Sequence, residues 1–313
     1  MKTVAGKRTA LLSVSLILSA CGGGGGGSAP TPAPTPIATT AFTKWSAVQP
    51  GVNYKADGLG QEVTGTASGG QFIAITPSGV ADGYSAYLTF DSALELSRLA
   101  LTTPAPTLVV LDKADGATFT NLTLTPGASP QFVGARNSTS VAVTAKPIDL
   151  GWEYQTFGVW ETGLGTTSRT FGAMSVGNTA GTAIPDSGTA TFTGYTTGSY
   201  VNTAGAGTTV FADLTVIADF GTARSLTFKT NNTQTSSDWV VFTSKPDLNL
   251  NGALTIAAGT NSFTGSVNSV GGLAGNSTGQ FYGPNAEELG GVFLLQGSGV
   301  ETYAGAYGAK QTP

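Results

Sequence analysis

Gly279-Gln280-Phe281-Tyr282-Gly283-Pro284-Asn285-Ala286-Glu287-Glu288-Leu289-Gly290-Gly291-Val292-Phe293 is the most informative run in this chain. Phe281, Tyr282 and Phe293 are core-filling side chains. Glycines let strands bend or come close to a neighbour, and Gly283, Gly290 and Gly291 fit that use. Glu287 and Glu288 can cap a turn or accept from a nearby backbone N–H. Nothing in the run supplies a reacting group, so a structural role outweighs a catalytic one. Phe281, Tyr282, Gly283, Pro284, Glu287, Glu288, Gly290 and Gly291 are therefore taken as a fold signature.

Working outward, the clearest strand is 210–220. Val210, Ala212, Leu214, Val216, Ala218 and Phe220 alternate with a wetter set that includes Asp213, Thr215 and Asp219, the period of a half-buried strand. Trp152 to Glu161 alternates similarly. Strands are also expected over 188–200, 223–230, 248–256, 261–267, 290–296 and 302–309, with Gly and Asn clusters between them. That makes about eight strands at hairpin spacing from Leu150 onward. A closed barrel would protect their edges; a sandwich has the same periodicity. Before them, 71–76, 85–90, 106–111 and 141–144 read as strands, and 93–100 as a short helix or a strand end. Lys146-Pro147-Ile148-Asp149 is a plausible junction.

Composition agrees with an all-β reading. Of 313 residues 45 are Gly and only 10% are charged, which suits many tight turns and disfavours helical bundles. Without Lys2, Lys7 and Arg8, 11 basic residues face 18 acidic ones. With no basic run, nucleic acid is excluded as the main partner. One cysteine permits no internal disulfide.

That cysteine follows a stretch with the layout of a secretory leader. Met1 to Thr9 is short and basic, and Ala10 to Leu18 is an apolar run below the roughly 20 residues of a membrane span. Leu18-Ser19-Ala20-Cys21 resembles the bacterial lipobox, which implies cleavage before Cys21, acylation such as palmitate on it, and membrane attachment through lipid. Gly22 to Gly27 and the Ala/Pro/Thr run to Pro36 form a tether, flexible then extended. Gly22 after the cysteine, as opposed to Asp, implies export to the outer membrane in lipoproteins of this kind.

The run 279–293 resembles the barrel signature of transferrin-binding protein B and its relatives. There a strand enters a Phe-Tyr-Gly-Pro turn, followed by Ala-Glu-Glu, a Gly-Gly step and the next strand. Pro185 to Gly194 is similar to the family's early barrel hairpin. Leu214 to Phe220, with Asp219-Phe220-Gly221, is similar to its central strand, and Tyr303 to Lys310 to its closing strand. The resemblance covers about 150–311. It implies an all-β chain with a C-terminal eight-stranded antiparallel β-barrel preceded by a smaller β-rich handle domain. The expected division is 1–20 leader, 21–41 tether, 42–148 handle and 149–313 barrel. It further implies a lipid-anchored, surface-exposed outer-membrane protein of a Gram-negative bacterium. The expected partners are a protein or small-solute ligand and a surface-lipoprotein translocator. Relatives bind transferrin, haem carriers or complement factor H. This chain has one lobe where that protein has two, and none of the family's transferrin contacts maps onto a residue here.

Other chemistry is limited. There is no His, so Ser-His-Asp catalysis and His-held zinc or haem are out. No cofactor, metal site or enzymatic role is expected. Tyr54, Tyr84, Tyr87, Tyr154, Tyr195, Tyr200, Tyr282, Tyr303 and Tyr307 leave tyrosine-ligated haem as a minor alternative. Glu153 and Glu161 are the pair left for a carboxylate hydrolase. Asp247-Leu248-Asn249-Leu250-Asn251-Gly252 mimics the start of a calcium loop, but Ala258 stands where the bidentate Glu belongs. Asn121, Asn137, Asn231 and Asn276 open N-x-S/T sequons of no weight in a bacterium. A structural envelope lipoprotein without a ligand is the remaining alternative.

Overall fold

The computed structural model describes residues 38–104, 108–124 and 127–313. The leader, Cys21 and nearly all of the tether lie outside them. No helix among the described residues is long and apolar enough to cross a membrane. Two sheets, antiparallel apart from one short parallel pairing, account for the fold.

The first sheet holds β1 (Thr40–Ala41), β2 (Asn53–Ser68), β3 (Gln71–Pro77), β4 (Ala81–Phe90), β5 (Leu96–Thr102) and β6 (Leu108–Asp112). It continues with β7 (Thr118–Leu122), β8 (Phe132–Arg136), β9 (Ser140–Ala145), β10 (Gln155–Thr162) and β11 (Ser168–Gly177). The order is β6-β5-β4-β2-β11-β10-β9-β8-β7, nearly closed on itself. The long β2 organises it. One edge pairs with β11 from Asp57 to Thr66, while the other pairs with β4 and then β3. The short β1 adds a parallel contact at Tyr54 and Lys55. The core of this sheet includes Trp45, Leu88, Leu99, Leu111 and Trp160.

The second sheet is a closed barrel of eight strands. These are β12 (Thr189–Val201), β13 (Gly207–Asp219), β14 (Ser225–Ser236), β16 (Leu250–Ile256), β17 (Ser262–Ser269), β18 (Ala274–Tyr282), β19 (Glu288–Gln296) and β20 (Thr302–Gln311), with a two-residue β15 (Thr243–Ser244) beside β14. Each barrel strand pairs with its sequence neighbour, and β20 returns to β12. Closure leaves no free edge in the ring, the vulnerability of a β-rich chain. Inside, Phe192, Val216, Phe228, Phe263, Phe281 and Tyr307 are buried. Large rings sit opposite small residues. Ser277 and Gly279 of β18 make room for Tyr307 and Phe263, and the Ser277 hydroxyl lies 2.8 Å from that of Tyr307.

The all-β class and the eight-stranded barrel are as expected, but the strand membership differs. Trp152 to Glu161, expected in the barrel, contributes β10 at the heart of the first sheet, between β9 and β11. The eighth barrel strand is instead β18. Hydrogen bonding thus passes from one sheet to the other between Gly177 and Thr189, later than the 148/149 junction. Strand alternation reports burial and not the partner, which explains the misassignment. Residues 96–102 resolve the helix-or-strand choice as strand. The sheets share one apolar cluster, with Phe132, Phe157 and Val159 packed near Phe211, Val292 and Ala306.

Candidate functional site

The signature run sits where the two sheets meet. Phe281 points into the barrel and makes edge contact with Phe263 at 5.2 Å. Tyr282 points the other way, and its hydroxyl lies 2.8 Å from Ser175 Oγ of β11. Gly283 turns the chain at φ 81°. The Glu287 carboxylate closes that turn by accepting from the backbone N–H of Asn285 at 2.9 Å. Glu288, fully buried, accepts from the backbone N–H groups of Glu153, Tyr154 and Gln155 at 2.6, 3.0 and 3.1 Å. Burial pushes its carboxyl up to about 7, against the pull of those N–H groups and of Lys310. Gly290 and Gly308 leave space for the Gln155 side chain, and Gly291 leaves space beside the Tyr307 hydroxyl. Tyr282 and Glu288 lock sheet to sheet, and Glu287 holds the turn between them.

Open surface lies at the other end of the barrel. The turns 202–206, 237–249, 270–273 and 297–301 all leave from that end, as strand order requires. The Gly205 carbonyl accepts from Phe72 N–H at 2.9 Å, tying this end to the β2–β3 hairpin of the first sheet. Within the longest turn, Asp238 accepts from the N–H groups of Val240 and Val241 at 2.9 and 3.0 Å. Those donors hold its carboxyl below its ordinary range. Trp239, at φ 63°, folds back over Gly134 of β8 and is buried there. With Asp238 and Trp239 fixed, the side chains of Val240 and Val241 face outward, 78% and 64% exposed. Val270, 64% exposed, shares this end.

Beside that loop lies a cleft of about 400 Å³ between β8–β11 and the β12–β13 hairpin. Its walls include Arg136, Glu161, Arg169, Ser199, Thr208 and Trp239. The Arg136 guanidinium sits 4.6 Å from the Trp239 ring, and that of Arg169 sits 4.7 Å from Phe72. Arg169 is ion-paired to Glu161 and donates to the Gly70 carbonyl. Burial raises the Glu161 carboxyl, and Arg169 opposes that rise. Sequence reasoning passed over Arg136 and the Trp239 loop. The available signal was the apolar run Trp239-Val240-Val241-Phe242 set among Ser, Thr and Asp.

The other sequence candidates are not brought together. Glu153 accepts from Ser46 N–H near the Glu288 end, while Glu161 lies in the cleft. Glu153 lies just before β10 and Glu161 next to its far end, so about 20 Å of strand stands between them, beyond a hydrolase pair. Of the tyrosines, Tyr200 donates to Glu301 at 2.6 Å, and Tyr282 and Tyr307 pair with serines. Burial raises all three phenols, Tyr282 to about 12, which opposes the phenolate that iron would need. The calcium-like run splits between a 3₁₀ turn at Pro246–Leu248 and β16, and Asn249 accepts from the Thr233 hydroxyl at 2.6 Å. No cluster of three or more metal-binding side chains occurs among the described residues.

Residues 184–311 match the family described as the C-lobe and N-lobe beta barrels of Tf-binding protein B. The segment is a transferrin-binding protein B-like barrel. Among solved structures, the chain is similar to a transferrin-binding protein B variant from Actinobacillus pleuropneumoniae H49. The identity is 13%, covering 82% of this chain and 100% of that one, with a TM-score of 0.45. It is similar at 14% identity to a variant from Haemophilus parasuis Hp5, covering 84% and 77%, TM-score 0.40. For the isotype 1 protein of serogroup B Neisseria meningitidis the identity is 13%, the coverage 75% and 53%, and the TM-score 0.40. No curated protein sequence matches the chain.

Proposed function

We propose that this chain is a lipid-anchored, surface-exposed outer-membrane protein that captures a protein ligand at the loop-rich end of its barrel. Attachment rests on the lipobox-like run ending at Cys21 and the tether behind it. The observation that carries the binding role is the Val240–Val241 pair. Two adjacent valines are held outward by Asp238 and Trp239 on a braced loop. Exposed apolar side chains on a fixed loop, next to a polar cleft, form the core-and-rim pattern of a recognition surface. Loops on a rigid scaffold are where such folds carry specificity. The family that residues 184–311 match is described by Tf-binding protein B, so transferrin is the first ligand to test.

Two measurements test the reading. Protease treatment of intact cells should strip the protein; survival while other surface proteins are lost would refute surface display. Serum proteins retained on the full chain should include a partner that is lost with Val240→Asp. Retention of nothing at micromolar affinity would favour a structural envelope role.

A further inference from the structure

We infer that the Arg136 cleft is a binding site for a carboxylate-bearing sugar, free or at the end of a glycan chain. This inference rests on the reading of that end as the binding face and names the ligand class of its cleft. The charge balance is the first observation. Glu161 and Arg169 neutralise one another inside the cleft. Arg136, exposed at its rim, forms no ion pair among the described residues and rests on Trp239. The cleft therefore holds one uncompensated positive charge in a chain with an acidic excess. An overall negative field repels anions, so a local cation of this kind selects for one. Of the five arginines in the chain, two line this cleft.

The second observation is the seat of that arginine. A guanidinium lying against an aromatic ring keeps its fork free and oriented, and the fork matches a carboxylate with two parallel N–H donors. Trp239 is itself fixed, its indole N–H donating to Thr209 Oγ1 at 3.2 Å. The third is the lining and size. Ser199, Thr208, Thr209, Asn137 and Ser237 bring hydroxyl and amide groups to the walls of the same cleft. A cleft of about 400 Å³ lies at the small end of the range for small-molecule sites. Phe72, Val143, Phe171 and Val201 line the same cleft, and apolar walls with hydroxyls beside one cation suit the apolar ring faces and polar edges of a sugar acid better than a bare anion.

Calorimetric titration of the full chain tests this. The probes are glucuronic acid and N-acetylneuraminic acid, with glucose as the neutral control and inorganic phosphate as the bare anion. Saturable binding of at least one acid is expected, with none of glucose. Arg136→Met should weaken it by about tenfold or more, the loss expected for a charge-assisted pair. Arg136→Lys, which keeps the charge without the fork, should fall between. Thermal melting checks that both variants remain folded. A sialylated glycoprotein compared with its desialylated form separates the glycan-borne acid from the free one. Equal binding of phosphate and the acids, equal binding of glucose, or no effect of Arg136→Met would overturn the inference. The Val240→Asp variant, folded and unable to retain a protein ligand, should still bind the acid, so this test and the protein-capture test fail separately.

Discussion

Glu288, the first residue of β19, holds the backbone N–H of Glu153, which lies before β10 in the other sheet, at 2.6 Å. With the N–H groups of Tyr154 and Gln155 on the same carboxylate, one side chain satisfies three successive donors. Glu288 and Gln155 are fully buried where the sheets meet, while Glu153 and Tyr154 are half-buried. Glu288→Ala should leave those donors unpartnered and lower unfolding stability by about 3 kcal/mol or more. Urea titration followed by tryptophan fluorescence measures it. A loss below about 0.5 kcal/mol, the range of an ordinary surface change, would mean that water replaces the carboxylate without cost.

The same carboxyl gives stability a pH dependence. Its folded value, about 7, lies above the ordinary 4.5, so the folded state binds the proton more tightly than the unfolded chain. The contribution is complete below about pH 4.5 and is lost as pH rises through 7. A shift of this size corresponds to about 3 kcal/mol as an upper bound. Unfolding stability should therefore fall between about pH 4.5 and pH 7 and level off above that, and Glu288→Gln should flatten that slope. An unchanged slope in the variant would assign the titration to another group.

Much of this architecture is legible in the sequence, and particular residues show where legibility stops. The alternation from Val210 to Ala218 announces β13 because one face is dry and the other wet. By contrast, β18 reads Ala-Gly-Asn-Ser-Thr-Gly-Gln before its aromatic pair. Its inward positions are small because rings from other strands fill the barrel there, so no apolar period remains to be seen. Trp152 to Glu161 has the period but conceals its partner, which the register with 140–144 and 170–177 supplies. Glu287 and Glu288 were expected to meet a turn or a backbone N–H. That the N–H groups of Glu288 lie 133 to 135 residues away is a property of the assembled sheets. Arg136 and Trp239 are about a hundred residues apart, and only folding makes them one wall.

The glycines of the signature make a steric prediction. A Cβ on Gly291 would stand 2.7 Å from Gly279 Cα and close to the Thr278 carbonyl, both in the adjacent strand backbone. Backbone in a closed barrel cannot move aside for one residue. Gly291→Ala should cost about 1–3 kcal/mol, as overpacking does. Gly79→Ala, where the added carbon meets nothing within 4 Å and φ is not positive, should stay within about 0.5 kcal/mol of the parent. Parallel thermal melts compare the two. Equal effects would show that the Gly-Gly step is not sterically required.

Val240 and Val241 make the prediction that separates stability from function. Both side chains are mostly in water, and the loop beneath them is held by the Asp238 carboxylate and the Trp239 ring, neither of which needs the valines. Replacing both by Asp should change unfolding stability by no more than about 0.5 kcal/mol. On a ligand surface, the same change places two charges where apolar area would be buried, so retention of a protein partner should be lost. Trp239→Ala is the opposite case. It empties the space over Gly134 and removes the seat of Arg136, and should cost about 3 kcal/mol or more in stability. Melting curves and partner retention, measured on both variants, distinguish them. If the double Asp variant retains its partner while remaining folded, the binding surface lies elsewhere on the molecule.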